Sequence, residues 1–262
     1  MKLIDTHCHI DVPAFDEDRE QVLERCREAG IAGIVVPGID ADGWDGLLRV
    51  CSSQPMLFPA LGLHPAFLTR HQPGHVDALA RYLADHRPLA VGEIGLDFYL
   101  TELDRDAQQA LFDAQLALAQ RAALPVLLHV RKAHDAVLAS LRRTPVVGGI
   151  CHAFNGSEQQ AEQYIALGFK LGFGGVLTYP RSHKLRGLAA GLPLEALVLE
   201  TDAPDMTVAS HHGQRNSPEY LPECLQALAE LRDEPIEAIA AQTTRNAEQV
   251  LSLNAYHDGR TP

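Results

Sequence analysis

The chain has 262 residues, 46% hydrophobic and 21% charged, with 22 Lys and Arg against 34 Asp and Glu for a formal charge of −12. That balance excludes a disordered or collagen-like chain. The acidity argues against a broad basic footprint on duplex DNA, which needs many Lys and Arg, but leaves room for a small anionic substrate held by metal ions.

The first apolar segment, Lys2–His9, reads as a strand ending in His7 and His9. Its charged and polar residues leave no apolar signal region. Asp16–Ala29 reads as an amphipathic helix, with Gly30 where a helix-ending glycine belongs. Further strands are expected at Gly33–Ile39, Leu57–His64, Leu89–Glu93, Val126–Val130, Gly148–His152, Lys170–Val176 and Leu197–Thr201. Between them, Asp104–Ala123 repeats Ala107, Leu111, Ala114, Leu118 and Ala122 at helical steps, as expected for one buried face. Glu158–Leu167, followed by Gly168, and Pro218–Leu231 have similar patterns. Ile236–Leu251 is predicted as an extra C-terminal helix closing the fold, and His257–Pro262 as a frayed tail.

Strands alternating with helices imply a parallel sheet, because a crossover helix is the natural link between parallel strands. Eight strands about 30 residues apart fit an α/β (β/α)8 TIM barrel better than an open doubly wound sheet, in one domain spanning 1–262. No uncharged apolar run approaches the roughly 18–20 residues that cross a bilayer. Five Cys, an odd number with no C-x-x-C pair, point to buried reduced thiols. A cytoplasmic protein with no membrane association and no obligate protein partner is expected.

In such a barrel, catalytic groups emerge at the C-terminal ends of strands. His7 and His9 are spaced i, i+2, which sends both imidazoles to one side of an extended strand. They read either as converging metal ligands or as a surface pair. Glu93, His129, His152 and Asp202 each close or directly follow another apolar run. An ionisable residue there is costly unless paired, solvated or metal-bound. Six such residues from five strands exceed the needs of one four-coordinate zinc. They suffice for two divalent ions about 3.5–4 Å apart. Glu93 is the candidate bridge, since a carboxylate has two oxygens and a neutral imidazole cannot span two metals. A metal-acidified water would be the nucleophile.

Several stretches carry a family resemblance: Asp5-Thr6-His7-Cys8-His9, Gly62-Leu63-His64-Pro65, Gly92-Glu93-Ile94-Gly95-Leu96-Asp97, His129-Val130-Arg131, His152-Ala153-Phe154, Thr201-Asp202-Ala203-Pro204 and Gly213-Gln214-Arg215-Asn216. In this order the chain resembles the TatD family of metal-dependent hydrolases, within the amidohydrolase-type barrels. The run Thr201–Met206 is most similar to a less characterised bacterial branch. The resemblance implies a binuclear site in which His7, His9, Glu93 and Asp202 surround one metal and Glu93, His129 and His152 the other. Asp202 would also accept the proton of the attacking water. Zn²⁺ or Mg²⁺ is the expected ion, with Mn²⁺ also admitted. Deoxyribonuclease activity, including trimming of 3′ ends, is the activity the family implies.

Around this set, His64 reads as a phosphate or leaving-group contact or as a turn histidine before Pro65. Arg131 lies two residues beyond His129 and reads as a phosphate contact or as an exposed ion pair. Arg215 and Asn216 fall in the loop after the last strand and read as substrate contacts or as a solvated loop. Asp5 reads as a residue orienting a ligand from behind or as a hydrogen-bonded floor residue. His71, His75, His86, His134, His183, His211, His212 and His257 are expected at the surface. Asn155, Val130 and the loop Thr207–His212 depart from the family pattern near the substrate, which bears on substrate identity. The leading expectation is a phosphodiesterase acting on DNA ends or single strands. The alternatives are an ester or amide hydrolase, for example of aminoacyl esters, and a non-catalytic metal-stabilised binding protein.

Overall fold

A computed structural model of the chain describes residues 1–257. Eight strands lie in sequence order in one parallel sheet: β1 (Leu3–Asp5), β2 (Ile31–Pro37), β3 (Leu57–Leu61), β4 (Ala90–Asp97), β5 (Val126–Arg131), β6 (Gly149–Cys151), β7 (Phe169–Phe173) and β8 (Leu197–Leu199). Beyond the ladders, the Thr6 N–H donates to Leu199 O at 3.1 Å and the Asp202 N–H to His7 O at 2.8 Å, drawing β8 against β1. The sheet curls into the expected nearly closed (β/α)8 barrel.

Helices alternate with the strands: α1 (Arg19–Glu28), α2 (Trp44–Ser52), α3 (His75–His86), α4 (Arg105–Ala122), α5 (His134–Arg143), α6 (Glu158–Ala166), α7 (His183–Gly191), α8 (Leu221–Ala229), α9 (Ile236–Val250) and α10 (Leu253–His257). Local chemistry sets their ends. Asp104 caps α4 by accepting from the Ala107 N–H, and Ser157 and Gln160 form a reciprocal capping box on α6.

The strands divide their side chains between two cores, as period-two alternation requires. Leu57, Val126, Leu128, Leu171, Leu197 and Leu199 belong to the larger core shared with the helices. Ile4, Val35, Phe58, Leu127, Ile150 and Val198 form a second cluster that also contains Ala247, Leu251 and Leu253. The C-terminal helices therefore stopper the end of the barrel remote from the strand ends. Asn246 fastens them, its amide donating to Leu194 O and Leu197 O. Of the tail expected at His257–Pro262, residues 258–262 lie outside the described residues.

Several strand limits differ from expectation for identifiable reasons. The β1 ladder stops at Asp5, four residues early, because the backbone beyond it bonds alternately to both neighbours: Cys8 N–H to Val35 O, His9 N–H to Ala203 O. The β3 ladder stops at Leu61 because the Gln115 amide takes both backbone groups of Leu63. β4 runs four residues past Glu93, where Gly95 (φ +149°) lets β4 approach β5; a Cβ there would lie 1.9 Å from His129 O.

Candidate metal centre

Glu93, from β4, stands at the centre and is almost fully buried. Its Oε2 lies 3.1 Å from His7 Nε2 and 3.6 Å from His9 Nε2. Its Oε1 lies 3.1 Å from His129 Nδ1 and 3.2 Å from His152 Nε2. The two oxygens thus face different imidazoles, His7 and His9 on one side and His129 and His152 on the other. Asp202 adds an oxygen 3.7 Å from His7 Nε2 and 3.8 Å from His9 Nε2. The six residues expected at strand ends converge here. Donor atoms of His7, Glu93 and His152, and of His7, His9 and Asp202, lie within 4.8 Å of one another, close enough to hold divalent cations. Imidazole and carboxylate together suit zinc and related ions.

The second nitrogen of each ring decides what the first can do. His9 Nδ1–H donates to Pro37 O at 3.2 Å, leaving its Nε2 lone pair for a cation. His129 Nε2 lies 3.0 Å from Asp97 Oδ2, so its proton faces that carboxylate and Nδ1 faces Glu93. His152 Nδ1 lies 3.6 Å from Glu200 Oε1, beyond hydrogen-bond range. His7 Nδ1, His152 Nδ1 and Glu200 Oε2 are buried without a partner among the described residues.

His64 also reaches Glu93, with Nε2 3.2 Å from Oε1. Its Nδ1, however, accepts the Ala66 backbone N–H at 3.0 Å. The neutral ring must then carry its proton on Nε2, which leaves no lone pair for a cation. His64 sits among the candidate ligating groups as a donor.

Charges within the cluster are interdependent. Burial works to raise the Glu93 pKa, yet His64, His7, His152 and the hydrogen bond from His129 outweigh it and hold the carboxyl well below its usual range. Burial raises Asp202 to about 6, despite the opposing pull of His152 and His9. It lowers His7 to about 3 and His64 to about 4, keeping both rings neutral. His152 moves the other way, because Glu93, Asp202 and Glu200 overcome its desolvation.

Asp5 faces the backbone rather than a ligand ring. Its Oδ1 accepts the N–H groups of His7 (3.2 Å) and Thr201 (3.0 Å), and its Oδ2 accepts the Thr201 hydroxyl at 2.5 Å. It ties β1 to the segment that carries Asp202. Arg131 lines a cavity of about 400 Å³ beside the centre, together with His129, His152, Asp202, Val176 and Met206. Arg215 and Asn216 have other engagements. The Arg215 guanidinium grips both Asp18 oxygens at 2.8 and 2.7 Å and lies over the Phe15 ring. Asn216 is buried and donates to Thr201 O and Asp205 O.

His134, expected at the surface, is buried instead, because its ring packs on Phe154 and reaches Tyr164 and Asn155. Asn155 also braces Val130 O and Ala153 O. In the loop Thr207–His212, His211 stacks on Tyr220 at 3.9 Å and His212 meets the Tyr179 hydroxyl. Two further carboxylates join the site without a sequence assignment: Asp97 lies beyond the expected end of β4, and Glu200 lies inside the expected strand Leu197–Thr201 without closing it. The alternation Glu93, Gly95, Asp97 was the available signal.

Comparison with known proteins agrees with this architecture. Residues 4–252 match the family model described as TatD related DNase. The chain is similar to an uncharacterised metal-dependent hydrolase of Escherichia coli K12, YjjV, with 43% identity over 96% of this chain and 98% of that one. It is 34% identical to a 3′-5′ ssDNA/RNA exonuclease, TatD, of a Pantoea strain, over 96% of this chain and all of that one. The crystal structure of the YjjV protein superposes with a TM-score of 0.92, covering 95% of this chain and 97% of that one. Among the described residues no helix is long and apolar enough to cross a membrane.

Proposed function

Because the chain belongs to the TatD family of metal-dependent hydrolases, we propose that it hydrolyses phosphodiester bonds at DNA ends or in single strands. The observation that supports this reading is the division of labour at Glu93, whose Oε2 faces His7 and His9 while its Oε1 faces His129, His152 and the donor His64. His7, His9, Asp202 and Glu93 would hold one divalent ion, and Glu93, His129 and His152 a second, with zinc or magnesium favoured and manganese admitted. Such ions supply Lewis acidity at a phosphoryl oxygen and a water acidified enough to attack.

The chain's own groups do the rest. Asp202, the least enclosed of the carboxylates here and raised towards neutrality, accepts the proton of the attacking water. His64 carries its proton on Nε2, where it faces Glu93 Oε1; with Glu93 committed to cations, that N–H would turn to a phosphate or to the departing oxygen. Arg131 offers its forked guanidinium at the cavity wall. Arg215 and Asn216 shape the loop after β8, while Asp97 fixes the His129 tautomer.

Metal-reconstituted protein is assayed on 3′-labelled single-stranded DNA beside an aminoacyl ester. Nucleotide release by the wild type, absent in His129→Ala and Asp202→Ala, supports the proposal. No release above those controls overturns it. Ester cleavage with DNA left intact would assign the same residues to acyl transfer, and bound metal with no turnover of either substrate would assign a binding role.

A further inference from the structure

Tyr99 follows β4 and keeps 50% of its surface exposed, one of four large hydrophobic side chains so exposed among the described residues. Two cations converge on its ring. The Arg131 guanidinium carbon lies 3.7 Å from the ring centroid and Lys132 Nζ 5.2 Å from it. Consecutive residues of a strand point to opposite faces. Lys132 reaches the ring because its backbone adopts the left-handed region, φ +53°, which an L side chain occupies only at a cost. Such strain gathers where a site needs a particular arrangement.

Neither cation enters an ion pair among the described residues. Asp97, the carboxylate that feels the charge of Arg131, has its oxygens engaged by His129 and by the Tyr99 N–H. Arg131 also lines the cavity beside the metal centre. Lys132 lines a neighbouring cavity with Lys184 and Asn155. A half-exposed aromatic ring with unpaired cations therefore begins at the catalytic cavity and leads away from it, on a chain whose formal charge is −12.

We propose that Tyr99, Arg131 and Lys132 form a stacking platform for a nucleobase of a single-stranded nucleic acid, the two cations meeting its flanking phosphates. An aromatic face accepts any base, and a guanidinium can stack as well as pair with phosphate. This rests on the nuclease reading and adds where the strand runs.

The test is fluorescence anisotropy of a 5′-labelled thymidine dodecamer and of an abasic dodecamer with the same phosphates. The protein is metal-loaded and carries Asp202→Asn to prevent turnover. The platform predicts tighter binding of the thymidine strand, by about fivefold or more. Tyr99→Ala should abolish that preference and Tyr99→Phe should keep it. Lys132→Ala should weaken both strands equally and lower the log–log salt slope by about 0.7. Equal affinity for the two strands in the parent protein, or a preference that survives Tyr99→Ala, overturns the proposal. Nucleotide release by wild-type protein with no base preference would discard the platform and keep the nuclease; a base preference without release would do the reverse.

Discussion

The second ring nitrogen sorts the histidines around Glu93 into those that can ligate and one that donates. His9 and His129 each commit a proton away from the centre, to Pro37 O and to Asp97, whereas His64 is forced to point its proton inwards. Asp97→Asn should therefore free the His129 ring to rotate or exchange tautomers. A 10- to 100-fold loss of metal affinity is expected, read by metal titration, with the unfolding transition little changed; unaltered affinity would deny Asp97 this role. Arg215→Ala tests the loop. Loss of the pair with Asp18 and of the contact with Phe15 should cost up to about 1 kcal/mol near neutral pH. Asp18 has a lowered pKa through its hydrogen bond from Arg215. Its contribution is thus complete above the unfolded value near 3.9 and fades as pH falls through the lower folded value. A denaturation series from pH 7 to pH 2 checks the trend. A large rise in KM at unchanged stability would instead make Arg215 a substrate contact. At this scale the sequence exposes the converging candidate ligands, since a lone ionisable residue after an apolar run stands out. It concealed the partner atoms of Arg215 and Asn216, which lie on distant segments or on backbone carbonyls.

Helix α4 shows how an element can bury polar groups to place a site. Its expected face of Ala107, Leu111, Ala114, Leu118 and Ala122 is only partly the buried one, which contains Gln108, Phe112, Gln115, Leu116, Leu118 and Ala119. Hydrophobic periodicity cannot see this face, because two of its members are glutamines seven residues apart. Gln115 pairs with both backbone groups of Leu63, next to His64, and Gln108 pairs with both backbone groups of Asp97. Gln115→Leu would strand a buried N–H and C=O, at about 1–3 kcal/mol for each unsatisfied group. A fall of about 2–6 kcal/mol in unfolding free energy is expected from urea titration, and wild-type stability would contradict the clamp. The strand–helix order was legible because buried parallel strands are short, apolar and bounded. Strand ends were less so: what ends β1 and β3 is the identity of a hydrogen-bond partner, which local pattern does not encode.

Across the molecule, the acidity that argued against duplex DNA acquires a narrower meaning. Glu93 and Asp202 belong to the candidate centre, and two dications would bring the formal charge to about −8. What remains is a short cationic track of Arg131, Lys132 and Lys184 at the cavities. Three such contacts predict a log–log salt slope of about −2 for a single strand; a slope several times steeper would require a footprint that this surface does not offer. The barrel itself is readable from eight spaced strands, and its C-terminal stopper from the periodicity of Ile236–Leu251, while the six candidate ligands can be placed because the fold gathers strand ends. The measurement that bears most directly on the whole account is a metal titration of chelator-stripped protein, following bound metal and nucleotide release from 3′-labelled single-stranded DNA together. The account predicts release that rises as a second ion binds per chain and disappears in His129→Ala. Release that persists in the stripped protein, or in His129→Ala, would contradict it.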